Sequence, residues 1–340
     1  MKRRTVIITG ANSGIGKAAA RKFAEEGHTV IMACRNLKKS LPARDEVVKV
    51  SAGGRVVLEE LDMSSFNSIR SFCATMKNDY KQLDTLIHNA AYFNHGEGYR
   101  LSPDGIELTF ATNLFGPFLM TRLLKDMLAA SDDPGILHAG SNIIKHFFNP
   151  AVEIPFDNLQ GEYRQTRPHS VYVNYRNSKM ALLMLTFRMA EKFNKDGIRV
   201  NSLQINGARM SKETLGKFKP KWRFIARVQN LFFRSPEFIA NRYYEICTSD
   251  KFREVTGKQF NHRLEIMQPA LENRGFLTDV KQAVGASVYP AYAHRKDVAD
   301  HLWELCEEWA SAGQKRGLKT ESESGMDKKP GTNPESGQTG

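Results

Sequence analysis

Short apolar runs and amphipathic helical stretches alternate along this chain from its first residues. Thr5–Thr9 reads as a buried strand and Gly14–Glu26 as a helix. His28–Cys34 predicts a second strand, followed by a helix from Pro42 to about Ser51. The pair repeats at Val56–Leu61 and Phe66–Asp79, then as a strand at Leu86–Asn89, a long helical stretch over Gly105–Leu128, and a strand at Ile136–Gly140. Met180–Phe193 is helical, Ile198–Ile205 is another strand, a last short strand falls at Gly257–Phe260, and a helix covers Lys296–Ala312. Continuous β-branched runs separated by helices belong to a parallel sheet with both faces covered, so the expected class is α/β, a single doubly wound Rossmann-type sheet flanked by helices. Residues 1–312 form that domain. Lys319–Gly340 lacks aromatic residues and is rich in Gly, Ser, Glu, Lys and Pro. Such a segment cannot bury enough apolar surface to offset its ordering entropy, and 313–340 is read as a disordered tail.

Within this pattern Gly10, Gly14 and Gly16 stand in GxxxGxG spacing between the first strand and its helix. A tight turn of this kind lets backbone N–H groups approach a phosphate at a helix N-terminus. A carboxylate about 20 residues further on selects NAD by bonding the ribose hydroxyl. Here Cys34 and Arg35 occupy that place, and a guanidinium suits a 2′-phosphate instead. NADP(H) is therefore the expected cofactor, with Arg35, Ser13 and Asn36 around its phosphate. Asp62, at the end of the third strand, suits either the adenine amino group or the N-cap of the next helix. Far along the chain, Tyr175 and Lys179 lie one helical turn apart. Such a phenol and ammonium can exchange a proton with a carbinol oxygen, or form a partly exposed amphipathic pair.

Composition adds little until its distribution is considered. The chain has 340 residues and carries 49 Lys and Arg against 37 Asp and Glu. Eight of the basic residues fall between Arg209 and Arg234, against the single acid Glu213. This concentrates the positive charge in one short segment, which points to a local anionic contact rather than a generally cationic surface, and no nucleic-acid partner is expected. The four cysteines and nine histidines show no metal-ligand spacing, so no metal is implied. No stretch is long enough to span a bilayer, and Val6-Ile7-Ile8 is too short for a signal-peptide core. The expected location is cytoplasmic.

From about residue 4 to 265 the chain resembles the short-chain dehydrogenase/reductase family, and within it the retinol-dehydrogenase-like and protochlorophyllide-reductase-like branch. The landmarks are Thr9–Gly16 (with Ile15), Ala33-Cys34-Arg35-Asn36, Leu61-Asp62-Met63, Asn89-Ala90-Ala91, Thr112–Phe118, Gly140-Ser141 and Tyr175–Lys179. The resemblance implies that Tyr175 is the general acid/base and that Lys179 favours its tyrosinate and bonds the nicotinamide ribose. Ser141 then holds the substrate oxygen and Asn113 anchors a proton relay. It places Met63, Asn89, Ala90 and Ala91 beside the cofactor, with His88 and Ala91 as departures from the family's Asn-Asn-Ala-Gly. Ile205-Asn206 replaces the usual Pro-Gly, and the insert Asn142–Asn174 separates Ser141 from Tyr175, forming a wall of the substrate pocket. It also implies a helical substrate lid at about 208–248. Within the lid, 217–234 presents an apolar face to the substrate and a basic face either to solvent or to anionic lipid at a membrane surface. The implied reaction interconverts a lipophilic alcohol and its ketone or aldehyde. Reduction of a ring C=C bond and non-catalytic dinucleotide sensing are the alternatives, and both monomer and homodimer remain open.

Overall fold

The computed structural model describes residues 2–93, 98–159, 168–210, 233–271 and 287–324 (backbone alone beyond 311), with Leu215, Gly216, Arg223, Arg227 and Asn230. Seven strands form one parallel sheet: β1 (Thr5–Thr9), β2 (Thr29–Cys34), β3 (Val56–Glu60), β4 (Thr85–His88), β5 (Gly135–Ser141), β6 (Arg199–Ile205) and β7 (Lys258–Phe260). Their order is β3-β2-β1-β4-β5-β6-β7. The chain reverses its winding between β1 and β4, and the carboxyl ends of those strands open the crevice in which ligands of such sheets bind.

The runs of apolar residues in the strands have a direct cause. In β1, Val6, Ile7 and Ile8 are all fully buried. Ile7 belongs to the core on one face, while Val6 and Ile8 belong to the core on the other. Both faces are dry, so no position alternates to polar, and each such side chain contributes about 1.5–3 kcal/mol. One face is covered by α1 (Gly14–Glu25) and α2 (Leu37–Val48). The other is covered by α3 (Phe66–Asp79) and by a continuous helix α4 over 108–129. The long α5 (Val171–Phe193) lies on that second face too.

Several boundaries differ from the expectation. Helix α2 starts at Leu37, capped by Asn36 Oδ1 accepting from Lys39 N at 2.9 Å, and it carries Pro42 inside. The polar cap, not the proline, sets its start. Helix α5 begins at Val171, nine residues before the apolar stretch that predicted it. Helix α4 contains a π-type turn, Ala111–Phe115. Part of the range assigned to a lid, Pro236–Thr248, is a helix, α6, whose buried Ile239, Ala240 and Tyr243 join the α1 face. The lid segment 217–234 lies largely outside the described residues. A two-stranded sheet, β8 (Gln268–Pro269) with β9 (Val288–Tyr289), was not foreseen. The last helix, α7 (Lys296–Ser324), runs past Gly313 into the stretch read as a tail, and 325–340 lies outside the described residues. Among the described residues no helix is long and apolar enough to cross a membrane.

Candidate active site

The glycine turn after β1 is built from backbone packed on backbone. Gly10 (φ 65°) and Gly14 (φ 52°) take left-handed conformations. A Cβ on Gly16 would lie 2.3 Å from the Gly10 carbonyl oxygen and 2.5 Å from Asn89 Nδ2. Only glycine lets the first turn of α1 approach the strand end this closely. Thr9 and Asn89 brace the turn across the switch point. Thr9 Oγ1 accepts from the N–H groups of Asn89 and Ala90 at 3.0 and 2.9 Å. Asn89 Nδ2 in turn donates to the Thr9 carbonyl at 3.0 Å. From α6, the hydroxyl of Tyr243, kept neutral by its burial, donates to Asn89 Oδ1 at 3.4 Å. Ser13 sits extended at the N-cap of α1, but its side chain caps nothing. The N-terminal amides of α1 thus keep their donors for an anion, and the cradle fits a dinucleotide pyrophosphate.

The side chains of the neighbouring loops differ in how far the fold already engages them. Arg35 is exposed directly after Cys34, whose thiol meets the backbone of Ala11 and Asn12 in the glycine turn. Among the described residues Arg35 has no ion-pair partner. Asn36 is committed to capping α2 through its side-chain oxygen. The N-cap of α3 is Ser65, so Asp62 does not fill that position. Asp62 Oδ1 instead accepts from Ser64 N at 2.9 Å and Ser64 Oγ at 2.7 Å. Met63 is buried in the core, and its carbonyl lies where a Cβ on Gly116 would have to be, at 2.2 Å.

Asn113, Ser141, Tyr175 and Lys179 converge from three elements. Asn113, in the π-type turn, is 1% exposed. Its carboxamide reads both backbone groups of Tyr92, accepting from the N–H at 2.7 Å and donating to the carbonyl at 3.1 Å. It also donates to Ser178 Oγ at 3.1 Å, which itself donates to the Tyr175 carbonyl at 2.9 Å. The Tyr175 hydroxyl shares a hydrogen bond with Ser141; burial pushes the phenol up, and the Ser141 bond opposes that rise. Lys179 is 3% exposed, with Nζ 5.7 Å from the Tyr175 ring centre and donating to the Ala139 carbonyl at 2.9 Å. Burial pulls this ammonium down to about 8. Below it, His88 and His138 face each other across β4 and β5 with ring centres 5.2 Å apart. Burial pulls His138 down to about 3 and His88 well below its ordinary value. Both imidazoles stay neutral and add no charge beside Lys179.

Ser141, Tyr175 and Lys179 open into one cavity of about 730 Å³, which also touches Ile15, Asn89 and Ala91 at the glycine end. Residues 4–146 match the family model for short chain dehydrogenase. Over 271 residues the chain is 31% identical to retinol dehydrogenase 13 of Homo sapiens, covering 76% of each protein. The chain belongs to the short-chain dehydrogenase family. This makes it an oxidoreductase by descent, and its likeness is to the retinol-dehydrogenase branch. Retinol dehydrogenase 14 of Homo sapiens is 30% identical over 280 residues, covering 76% of this chain and 78% of that one. Among solved structures, a protein of Mycobacterium paratuberculosis matches with a TM-score of 0.62 at 23% identity, covering 91% of this chain and 93% of that one. A short chain dehydrogenase of Shigella flexneri, solved in complex with NADP, matches at 0.58 and 20% identity, covering 77% and 98%. These likenesses extend the family fold across the described sheet.

As a short-chain dehydrogenase, the chain has site-lining residues that its motifs did not reveal. Phe93 lays its ring 4.3 Å from that of Tyr175. His146 from the insert bonds the Tyr172 hydroxyl at 2.7 Å, and both line the cavity. Tyr172 was findable, since it lies three residues before Tyr175 on the same helical face. Phe233 was not, because it reaches Gly207 from far along the chain.

Proposed function

We propose that this protein is an NADP(H)-dependent oxidoreductase that interconverts a lipophilic alcohol and its ketone or aldehyde. The observation that carries the reading is that Tyr175, Ser141 and Lys179 line a single cavity with Ile15 of the glycine turn and Asn89, which braces that turn. Bound nicotinamide supplies or accepts the hydride. Gly10, Gly14 and Gly16 would hold the pyrophosphate, and Arg35, unpaired among the described residues, would hold the 2′-phosphate. Ser141 Oγ holds the substrate oxygen beside Tyr175. Burial keeps the Tyr175 phenol protonated at rest, so its resting form donates a proton to the oxygen of a carbonyl, the reductive direction. The tyrosinate left behind is stabilised by Lys179 while that amine is charged, below about pH 8. Ile15, Ala91, Phe93, Ile143, Met210 and Phe233 give the cavity a largely apolar wall suited to a lipophilic substrate.

NADPH oxidation over a panel of aldehydes and ketones tests this reading. Tyr175→Phe should cut turnover by about 10²–10⁴-fold while NADPH affinity is kept; undiminished turnover removes Tyr175 from the chemistry. Arg35→Ala should erode the preference for NADPH over NADH, and an unchanged ratio removes Arg35 from the phosphate site.

A further inference from the structure

Beside the active-site cavity lies a second one of about 230 Å³. Its walls come from the end of β6, from Phe233 and Arg234, from Phe238 and Arg242 of α6, and from His262 after β7. The two cavities share Ile205, Asn206, Gly207 and Phe233, so the Phe233 ring packed on Gly207 is the partition between them. Hydride transfer uses nothing on the far side of that ring.

The charges there are unusual. The Arg234 and Arg242 guanidinium carbons lie 5.3 and 4.8 Å from the centre of the same Phe238 ring. An aromatic ring attracts each cation without neutralising its charge. Arg242 gives one bond to Glu245 at 2.9 Å, while its Nε is buried without a hydrogen-bond partner. Arg234 has no ion-pair partner among the described residues. His262 Nδ1 is also buried and unbonded. Glu265, the other acid near His262, is engaged by Asn261 Nδ2 at 2.7 Å. Two guanidiniums and an imidazole thus surround one small space, with two buried polar atoms unsatisfied. An oxyanion entering that space would pair with the uncompensated Arg234 and supply the missing acceptors.

We propose that this cavity is an anion-binding site that takes one carboxylate or phosphate group between Arg234, Arg242 and His262. Its size admits such a group and excludes a dinucleotide. The anion would also sit beside the pairing of residues 208–209 with Arg234. Arg234 supplies both the bridge to Ala208 and the carbonyl that accepts from Arg209 N at 2.9 Å. The group could arrive on a soluble acid or on a lipid headgroup, and the recognition chemistry is the same. The site stands independently of the hydride-transfer reading.

The test is binding, not turnover. Thermal unfolding of the full chain is followed while inorganic phosphate replaces chloride at constant ionic strength. Wild type should be stabilised saturably. Arg234→Gln with Arg242→Gln should weaken the apparent affinity about tenfold or more, and the corresponding pair of Lys substitutions should recover part of it. Arg35→Ala, which disables the cofactor's own phosphate contact, should leave the effect in place. Sedimentation with phosphatidate vesicles, against phosphatidylcholine alone, separates the sources: retention through the same two arginines points to a lipid headgroup, and phosphate binding without retention to a soluble acid. No saturable effect, or one that survives the double Gln variant, overturns the proposal.

Discussion

Two turns flank the cavity, one after β1 and one after β6, and each depends on a glycine with positive φ, Gly10 at 65° and Gly207 at 128°. What presses on them differs. Around Gly10 and Gly16 the close neighbours are main-chain atoms, the short methyl of Ala90 and the amide of a braced asparagine. Against Gly207 the close neighbour is the ring edge of Phe233, 2.4 Å from where a Cβ would be. Main chain cannot step aside without unmaking the sheet, whereas a phenyl ring can turn. The end at the glycine turn is therefore fixed by the fold, and the end at Gly207 is adjustable by one side chain. On the proposed reading, the first holds the cofactor and the second shapes the substrate pocket.

The sharpest way to break this comparison is Gly16→Ala. Its Cβ meets a carbonyl that cannot move, so it should lower stability by about 1–3 kcal/mol and abolish NADPH binding in a fluorescence titration. Normal cofactor affinity would mean that the first turn is as yielding as the second. Lys179→Met tests the ground between the turns. Its ammonium is pulled from 10.5 to about 8 by burial, so the unfolded chain binds this proton more tightly than the folded one. The resulting cost to stability is complete below pH 8 and fades as pH rises toward 10.5. At neutral pH it is roughly 3 kcal/mol, against about 1 kcal/mol for the lost bond to Ala139. The variant should therefore lose most of its turnover yet melt at a higher temperature. Wild-type reductive turnover should likewise decline as pH rises through about 8; a flat profile there would show that the amine's charge is not used. Gly207→Ala should cost about 1–3 kcal/mol through backbone strain alone, with NADPH affinity intact and KM for carbonyls altered. The smallest effect is expected from Phe233→Ala, which should shift KM less than about tenfold with little change in melting temperature. A loss of cofactor binding in either of the last two would erase the distinction between the turns.

Much of this was legible along the chain because the signals were local. Buried strands announced themselves as β-branched runs, and the glycine turn and the Tyr175–Lys179 spacing each fit within one element. The family motifs brought Ser141 and Asn113 into the same set. Local signals also misled: Pro42 looked like a helix start, but the Asn36 side chain, by capping Lys39, places the start at Leu37. Asp62 had two roles open until Ser65 took the cap. The insert was read as a pocket wall, and His146 and Tyr172 do line the cavity. It also sends Ile144, Phe147, Ile154 and Leu159 into the main core, which its prolines did not suggest. Phe233 on Gly207 joins segments whose meeting depends on tertiary packing that no periodicity encodes, whereas Arg234, Phe238 and Arg242 follow one another at helical four-residue spacing.

Asn113 grips Tyr92 and Ser178 from within a five-residue π-type turn. A π turn holds one residue more than a regular α-helix accommodates, so deleting a residue before Asn113 would restore ideal pairing while swinging the rest of the helix by about 100°. The repaired helix would gain stability and aim its asparagine away from the loop it now holds. An imperfection in backbone regularity is here the aiming device, and a designer who idealised this helix would part Asn113 from Tyr92 and Ser178.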